Sequence, residues 1–393
     1  MKLSSRMLAR VAVVPLAAAG AVGAVGAVGV ATASASTGAS KVVGHVYVND
    51  NTAGSNTIAG FDRHADGALT PIPGSPFTAG GAGTGAGLAA QGALQLSSNG
   101  RFVIAVDAGS DQISVLKVHH GGVLTAVSSG PVASGGSNPV SVAEHDGLVY
   151  VANADATAPN YNGFRLTGKG LLKPLVGSTV TLPAGSQPGD VLFNSTGTRL
   201  VGTRVATSEI DSFAVDADGL LTEAPDAPYA AQGVGPFGSV FRPTNPTQLF
   251  VTNAHNAPGD STVSSFSDAS DGTLTSIGAS PVANGQSGSC WAAISPNGQT
   301  LYSVNTGSGS ITNYSIGGGG SLKVIGSTTI RNGAGPGNSV DAAVSPDGAN
   351  VYVVESLTNA IAEFEVHGSQ LRELASGPVA LPTGARAAGI AVQ

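Results

Sequence analysis

The chain has 393 residues, 41% of them hydrophobic and only 10% charged, with 24 acidic against 17 basic side chains and a formal charge of −7. That balance argues against a nucleic-acid or anionic-membrane partner, and the single cysteine, Cys290, allows no internal disulfide. Glycine (57) and proline (22) together make about a fifth of the residues, below the share that marks disorder.

At the N-terminus, Lys2, Arg6 and Arg10 precede an apolar Ala/Val/Gly stretch from Val11 to Val30, followed by Ala31-Thr32-Ala33 and Ala33-Ser34-Ala35. This layout predicts a secretory signal peptide over residues 1–35, cleaved near residues 33–36. The stretch is also long enough for a retained membrane anchor, an alternative weakened by Gly20, Gly23, Gly26 and Gly29. Cleavage would lower the basic count from 17 to 14 against 24 acids, for a net charge of −10. The expectation is a secreted, extracellular, monomeric protein without membrane contact, in which residues 36–42 are a linker.

From residue 43 onward the chain repeats itself. The stretch GNSVDAAVSPDGANVYVVESLTNAIAEFEV, residues 337 to 366, holds three apolar runs of strand length separated by a Ser-Pro-Asp-Gly turn (Ser345 to Gly348) and a polar break. Copies of its middle run centre on Tyr47, Ile104, Tyr150, Val201, Phe250, Tyr302 and Tyr352, spaced by 57, 46, 51, 49, 52 and 50 residues. A fourth element follows each copy, around Leu69, Leu124, Leu172, Leu221, Leu274, Leu322 and Leu371. A period near 50 with four short strands predicts an all-β, seven-bladed propeller over residues 43–393, with four antiparallel strands per blade. The first copy lacks its first strand, and Ala388 to Val392 supply one, so the C-terminal strand should close the ring by joining the N-terminal blade.

Strand order also sorts the loops. In an antiparallel blade, one-to-two and three-to-four turns share one face, while two-to-three and blade-to-blade loops share the other. The second face carries the longer segments, among them Ala79 to Gly87, Asn153 to Asn162, Asn253 to Thr262 and Arg331 to Gly337, and is where binding is expected. The glycine tract Gly80 to Gly87 lacks the strand-before, helix-after context of a phosphate loop and reads as a linker. His64, His119, His120 and His367 fall on the other face at three-to-four turns, and His145 at a one-to-two turn; His255 lies on the long-loop face. The His119-His120 pair has no partner at ligand spacing, so neither a metal nor a cofactor is expected.

Three residues after each second-strand centre stands a polar residue: Asp50, Asp107, Asn153, Arg204, Asn253, Asn305 and Glu355. The Asn and Asp members read as strand-end caps; Arg204 and Glu355 break the pattern and are candidates for ligand contact. Positions equivalent to Asp341 near the start of the innermost strands are Ala93, approximately Val140, Asp190, Gly238, Trp291 and Gly389. The channel mouth is therefore expected to combine Asp190, Asp341 and Trp291, with Arg331 and Arg386 in neighbouring blade-to-blade loops supplying positive charge. Trp291 can equally plug the channel.

Leu249-Phe250-Val251-Thr252-Asn253, with Ser-Pro-Asp-Gly or Ser-Pro-Asn-Gly turns before such runs (Ser345 to Gly348, Ser295 to Gly298), resembles the YVTN-type repeat of the lactonase propeller family, which includes 6-phosphogluconolactonases and carboxymuconate cyclase-like proteins. The resemblance implies a seven-bladed ring with a lactone-hydrolysing site on the long-loop face. One family motif matches, a glutamate after the second strand with asparagine four residues later, here Glu355 and Asn359. The Pro-Arg-His entry to an innermost strand is replaced by Ser339-Val340-Asp341, Pro188-Gly189-Asp190 and Pro236-Phe237-Gly238.

Two functions follow from these residues. One is a secreted hydrolase of a small lactone, with Glu355 as base and Arg386 or Arg204 holding the oxyanion, and with Asp190, Trp291, Asp341, Arg331, His255 and Asn359 around the ligand. Few cations and an exported location argue against phosphogluconolactone itself. The other is a noncatalytic extracellular propeller that binds a small ligand, glycan or protein through its long-loop face, favoured by the missing Pro-Arg-His.

Overall fold

The computed structural model describes residues 40–333, 335 and 337–393; the signal peptide expected at 1–35 and most of the linker lie outside them. The described residues form seven antiparallel sheets arranged as blades, each running from an inner strand to an outer one. The second strands are the repeats found by sequence: Val42–Asn49, Phe102–Asp107, Leu148–Asn153, Arg199–Arg204, Asn245–Asn253, Thr300–Asn305 and Asn350–Glu355. The Val, Tyr and Phe side chains at the centres of these strands are almost wholly buried because both faces of a blade are covered by its neighbours, whereas Val42 and Val43 at the start of the first are exposed.

Sequence dictates the turns. In the Ser-Pro-Asp-Gly turn, Ser345 Oγ accepts the amide of Asn350 at 2.9 Å, and Gly348 adopts a positive φ of 72° that a side chain would strain. Ser295 repeats the arrangement with the amide of Thr300 at 2.9 Å.

Neighbouring blades are stitched by a recurring bond. A tyrosine hydroxyl of one second strand donates to a carbonyl in the three-to-four turn of the next blade: Tyr47 to Gly122 at 2.9 Å, Tyr150 to Gly219 at 2.8 Å, and Tyr352 to Gly67 at 2.9 Å. The last of these crosses the seam between the final and first blades. There Ile390–Val392 pairs with the first blade, Val46 opposite Val392 and Val48 opposite Ile390. Backbone bonds between His45 and Gln393, and between Asn49 and both Ala388 and Gly389, lengthen this ladder.

The fourth strand expected in each blade is present, but it is not always continuous. In six blades the outer strand is broken into two pieces that both pair with the third strand, as Leu69–Pro71 and Phe77–Thr78 do; in the sixth blade Leu322–Thr329 is continuous. The registers give the reason: Ile58 pairs with Phe77, eight residues after Leu69, whereas Ile311 pairs with Thr328, six residues after Leu322. Two extra residues in the other blades form a turn that leaves the ladder.

Candidate functional site

A cavity of about 520 Å³ opens on the long-loop face, walled by the ends of blades five, six, seven and one. Its sides are Phe237 and Trp291 from inner strands, whose rings meet edge to face at 5.0 Å, with Val340, Leu357 and Leu88. Phe237, Trp291, Val340 and Cys290 belong to the largest hydrophobic cluster of the ring, so these walls are fixed by the core itself.

The floor comes from the connection between blades one and two. Trp291 Nε1 donates to the carbonyl of Ala90 at 3.0 Å. The next residue, Gln91, reaches three blades: its backbone amide donates to Gly189 O at 2.9 Å, its side-chain amide donates to Ser239 O at 2.8 Å, and its Oε1 accepts the amide of Ala292 at 2.8 Å. Gly238 makes room for it, since a Cβ there would stand 2.2 Å from Gln91 Oε1. The strap divides the channel. Ala90, Trp291 and Val340 line the upper cavity, whereas their successors Gln91, Ala292 and Asp341 line a second cavity of about 120 Å³ below it.

Asp190 and Asp341 therefore lie beneath the strap, apart from Trp291, and do not form the shared mouth expected from their register. Ser141 opposite Ala152, rather than Val140, is the matching position in blade three. Asp190 accepts from Ser239 Oγ at 2.7 Å and from the Ser239 amide at 2.9 Å, and burial still pushes its carboxyl up to about 7. Asp341 is pushed up to about 7 by burial first and by the nearby Asp190 charge as well.

The polar ring at the second-strand ends turns inward. Asp50 accepts from Thr57 Oγ1 at 2.7 Å, Asn253 donates to Thr262 Oγ1 at 2.9 Å, and Asn305 donates to Ser310 Oγ at 3.0 Å, each capping the third strand of its own blade. Arg204 follows the same rule: Nε donates to Asp211 Oδ2 at 2.9 Å, Tyr161 Oη donates to that oxygen at 2.9 Å, and Glu209 completes the cluster. Glu355 is 0% exposed and meets Thr358 Oγ1 at 3.4 Å, with Oε1 unpartnered. Burial first, and Glu373 second, raise its pKa. Neither Arg204 nor Glu355 lines the cavity, although Ser356 and Leu357 do. The physical reason is that side chains leave a strand through the faces of its sheet, and in a propeller those faces meet neighbouring blades. A second-strand residue thus reaches the crevice between blades and not the channel.

Arg331 caps blade seven, donating to Gly377 O at 2.7 Å and Leu374 O at 3.0 Å beside Glu373. Asn359, at φ 53°, donates its side-chain amide to Ala385 O at 2.6 Å and so holds the closing segment. Of the residues singled out from sequence, Trp291, His255 and Arg386 share the cavity. The strap residues Ala90 and Gln91, and Leu357, carried no motif, and Phe237 was named only within a replaced Pro-Arg-His entry; for the strap the one signal was the length of the strandless connection after Thr78.

Arg386 and His255 are also chemically free. Among the described residues, the Arg386 guanidinium and the His255 imidazole make no hydrogen bond or ion pair, although both line the cavity. Every other described arginine except the exposed Arg372 is held by a carboxylate, carbonyl or amide oxygen. Cys290 beside them is no nucleophile, because burial pushes its thiol up to about 12.

Residues 45–176 match the family model described as lactonase, 7-bladed beta-propeller. No curated protein sequence matches the chain. Solved structures share its fold at low identity. A candidate 6-phosphogluconolactonase from Bacteroides uniformis superposes with a TM-score of 0.71 at 18% identity, covering 90% of this chain and 100% of that one. Another, from Bacteroides fragilis, gives 0.69 at 20% identity over 90% and 98%. The periplasmic gluconolactonase of Pseudomonas aeruginosa gives 0.70 at 16% identity over 89% and 98%. In this seven-bladed propeller the long-loop cavity, with one free cation and one free imidazole on apolar walls among the described residues, is the site with the means to act on a small molecule.

Proposed function

We propose that the protein hydrolyses a small lactone bound in the long-loop cavity. The observation that carries this reading is the unpaired Arg386 guanidinium beside apolar walls: a cation left without a counter-charge there favours a ligand with an anionic or strongly polarised oxygen. Opening a lactone also needs a base, and His255 is the one imidazole on the cavity wall. In the reaction, His255 takes a proton from water as its oxygen bonds to the acyl carbon, and Arg386 holds the developing oxyanion. The ring C–O bond then breaks and the departing oxygen receives that proton, leaving a hydroxy acid whose carboxylate faces Arg386. Glu355 and Arg204 take no part, since the fold shuts both out of the cavity.

The basic N-terminus, the apolar stretch and the small residues before residue 36 support export, so the reaction would take place outside the cytoplasm; N-terminal sequencing of protein recovered from the medium tests this. The second reading, a noncatalytic binding propeller, is favoured by the scarcity of catalytic groups on the walls. Hydrolysis of a lactone panel, followed by pH-stat with wild type, His255→Gln and Arg386→Gln, decides between them. Turnover lost in both variants supports the hydrolase. Saturable binding without turnover in the wild type supports the second reading.

A further inference from the structure

Resting on the lactone reading, we infer that the cavity selects lactones with an alkyl or aryl body over polyhydroxylated sugar lactones. The walls are Phe237, Trp291, Val340, Leu357 and Leu88, together with alanines. Their polar complement is small and partly engaged. Trp291 Nε1 already donates to Ala90 O at 3.0 Å, and Thr306 Oγ1 already accepts the amide of Gly337 at 2.9 Å. Arg386 and His255 serve the ester itself, which leaves Ser356 as the remaining polar side chain on the wall among the described residues.

A sugar lactone brings several hydroxyl groups, each both donor and acceptor, and every one that loses water without gaining a partner weakens binding. A methylene has the opposite effect, because its burial strengthens binding by about fourfold. One polar head at Arg386 and a long apolar body against the Phe237–Trp291 pair match this distribution of chemistry. A cavity of about 520 Å³ also has room for more than a bare five- or six-membered ring.

The test uses the purified protein and a homologous series of γ-lactones from γ-butyrolactone to γ-dodecalactone, with glucono-δ-lactone as the sugar comparator, each assayed by calorimetric titration and by hydrolysis. Affinity is expected to rise about fourfold per methylene until the cavity is filled, with glucono-δ-lactone binding no better than γ-butyrolactone. A flat series, or glucono-δ-lactone binding more tightly than γ-decalactone, overturns the inference. Leu357→Ser is a second check, since Leu357 is 51% exposed and its loss is compatible with folding. It should weaken the long-chain members by about tenfold relative to glucono-δ-lactone; equal loss for both would also overturn it. A rising series without turnover supports the apolar preference while removing the hydrolase reading, and turnover confined to sugar lactones does the reverse.

Discussion

Trp291 and Ala90 stand 201 positions apart in sequence, yet the indole of one donates to the carbonyl of the other at 3.0 Å. This bond fixes the strap that floors the cavity. Trp291→Phe keeps a ring against Phe237 but removes the donor and part of the buried indole volume, so a stability loss of about 2–4 kcal/mol is expected, together with weaker ligand binding as the floor loosens. Thermal unfolding and calorimetric titration of the variant would show both; unchanged affinity would mean that the strap does not shape the site.

Gln91 is the firmer anchor. Gln91→Leu leaves the Ser239 carbonyl and the Ala292 amide without partners in a buried channel. A loss of about 2–4 kcal/mol is expected from two such orphaned groups, read as a shift in the urea midpoint. A midpoint within error of wild type would show that water replaces the glutamine.

Arg386 and Arg204 should behave as opposites. Arg386 has no protein partner among the described residues, so Arg386→Gln should leave the melting temperature unchanged while lowering kcat/KM by about 100-fold, the size typical of losing one oxyanion donor. Arg204→Met strands the buried Asp211 carboxylate, at about 3–5 kcal/mol. Its folded fraction should turn over normally. Glu355→Gln should likewise keep turnover, and abolished turnover in that variant would put Glu355 into the chemistry.

Stability should fall as pH rises from about 4 to about 7. Asp50, Asp190, Asp341 and Glu363 are each pushed up to about 7, chiefly by burial. The folded state therefore holds their protons more tightly than the unfolded chain, whose carboxyls titrate near 4. Stability from these groups is complete below the unfolded value and is lost as pH climbs to the folded value. Melting should be higher at pH 5 than at pH 8, and Asp341→Asn should raise it at pH 8 with little change at pH 5. A melting temperature that increases between pH 5 and pH 8 would contradict this assignment.

Removing Ala388 to Gln393 takes away the inner strand of blade one and exposes the edge of Val42–Asn49. A sharp drop in melting temperature is expected. Calorimetry on the truncated chain is the direct check, and an unaltered transition would mean that the seam contributes nothing.

Repeats carried most of the fold. Tyr47, Tyr150 and Tyr352 recur because each must fill the same space and reach the next blade's turn, so their spacing announces the ring. Ala388 to Val392 announced the closure because an apolar strand with no turn after it had only one blade lacking a first strand. The site was less legible. Position along a strand gives height in the blade but not which surface a side chain meets, so Glu355 and Arg204 read as ligand contacts when the neighbouring blades cover them. Gln91 lies outside every repeat, and its bonds to blades four, five and six depend on how a fifteen-residue connection, Ala79 to Ala93, crosses the channel. Arg386 and His255 were visible as loop residues on the correct face; that they lacked partners was a fact of three dimensions.

The seam also sets an order of events during synthesis. Val46 and Val48 emerge with the first blade and pair with Val392 and Ile390, which emerge only after the strands of the other six blades. Until that strand has been made, the first blade has an open inner edge facing a growing row of completed sheets. A partner this distant in sequence makes the final step slow relative to the local hairpins that precede it, so an interrupted or prematurely ended chain is left as an unsealed arc with apolar strands on offer to other chains.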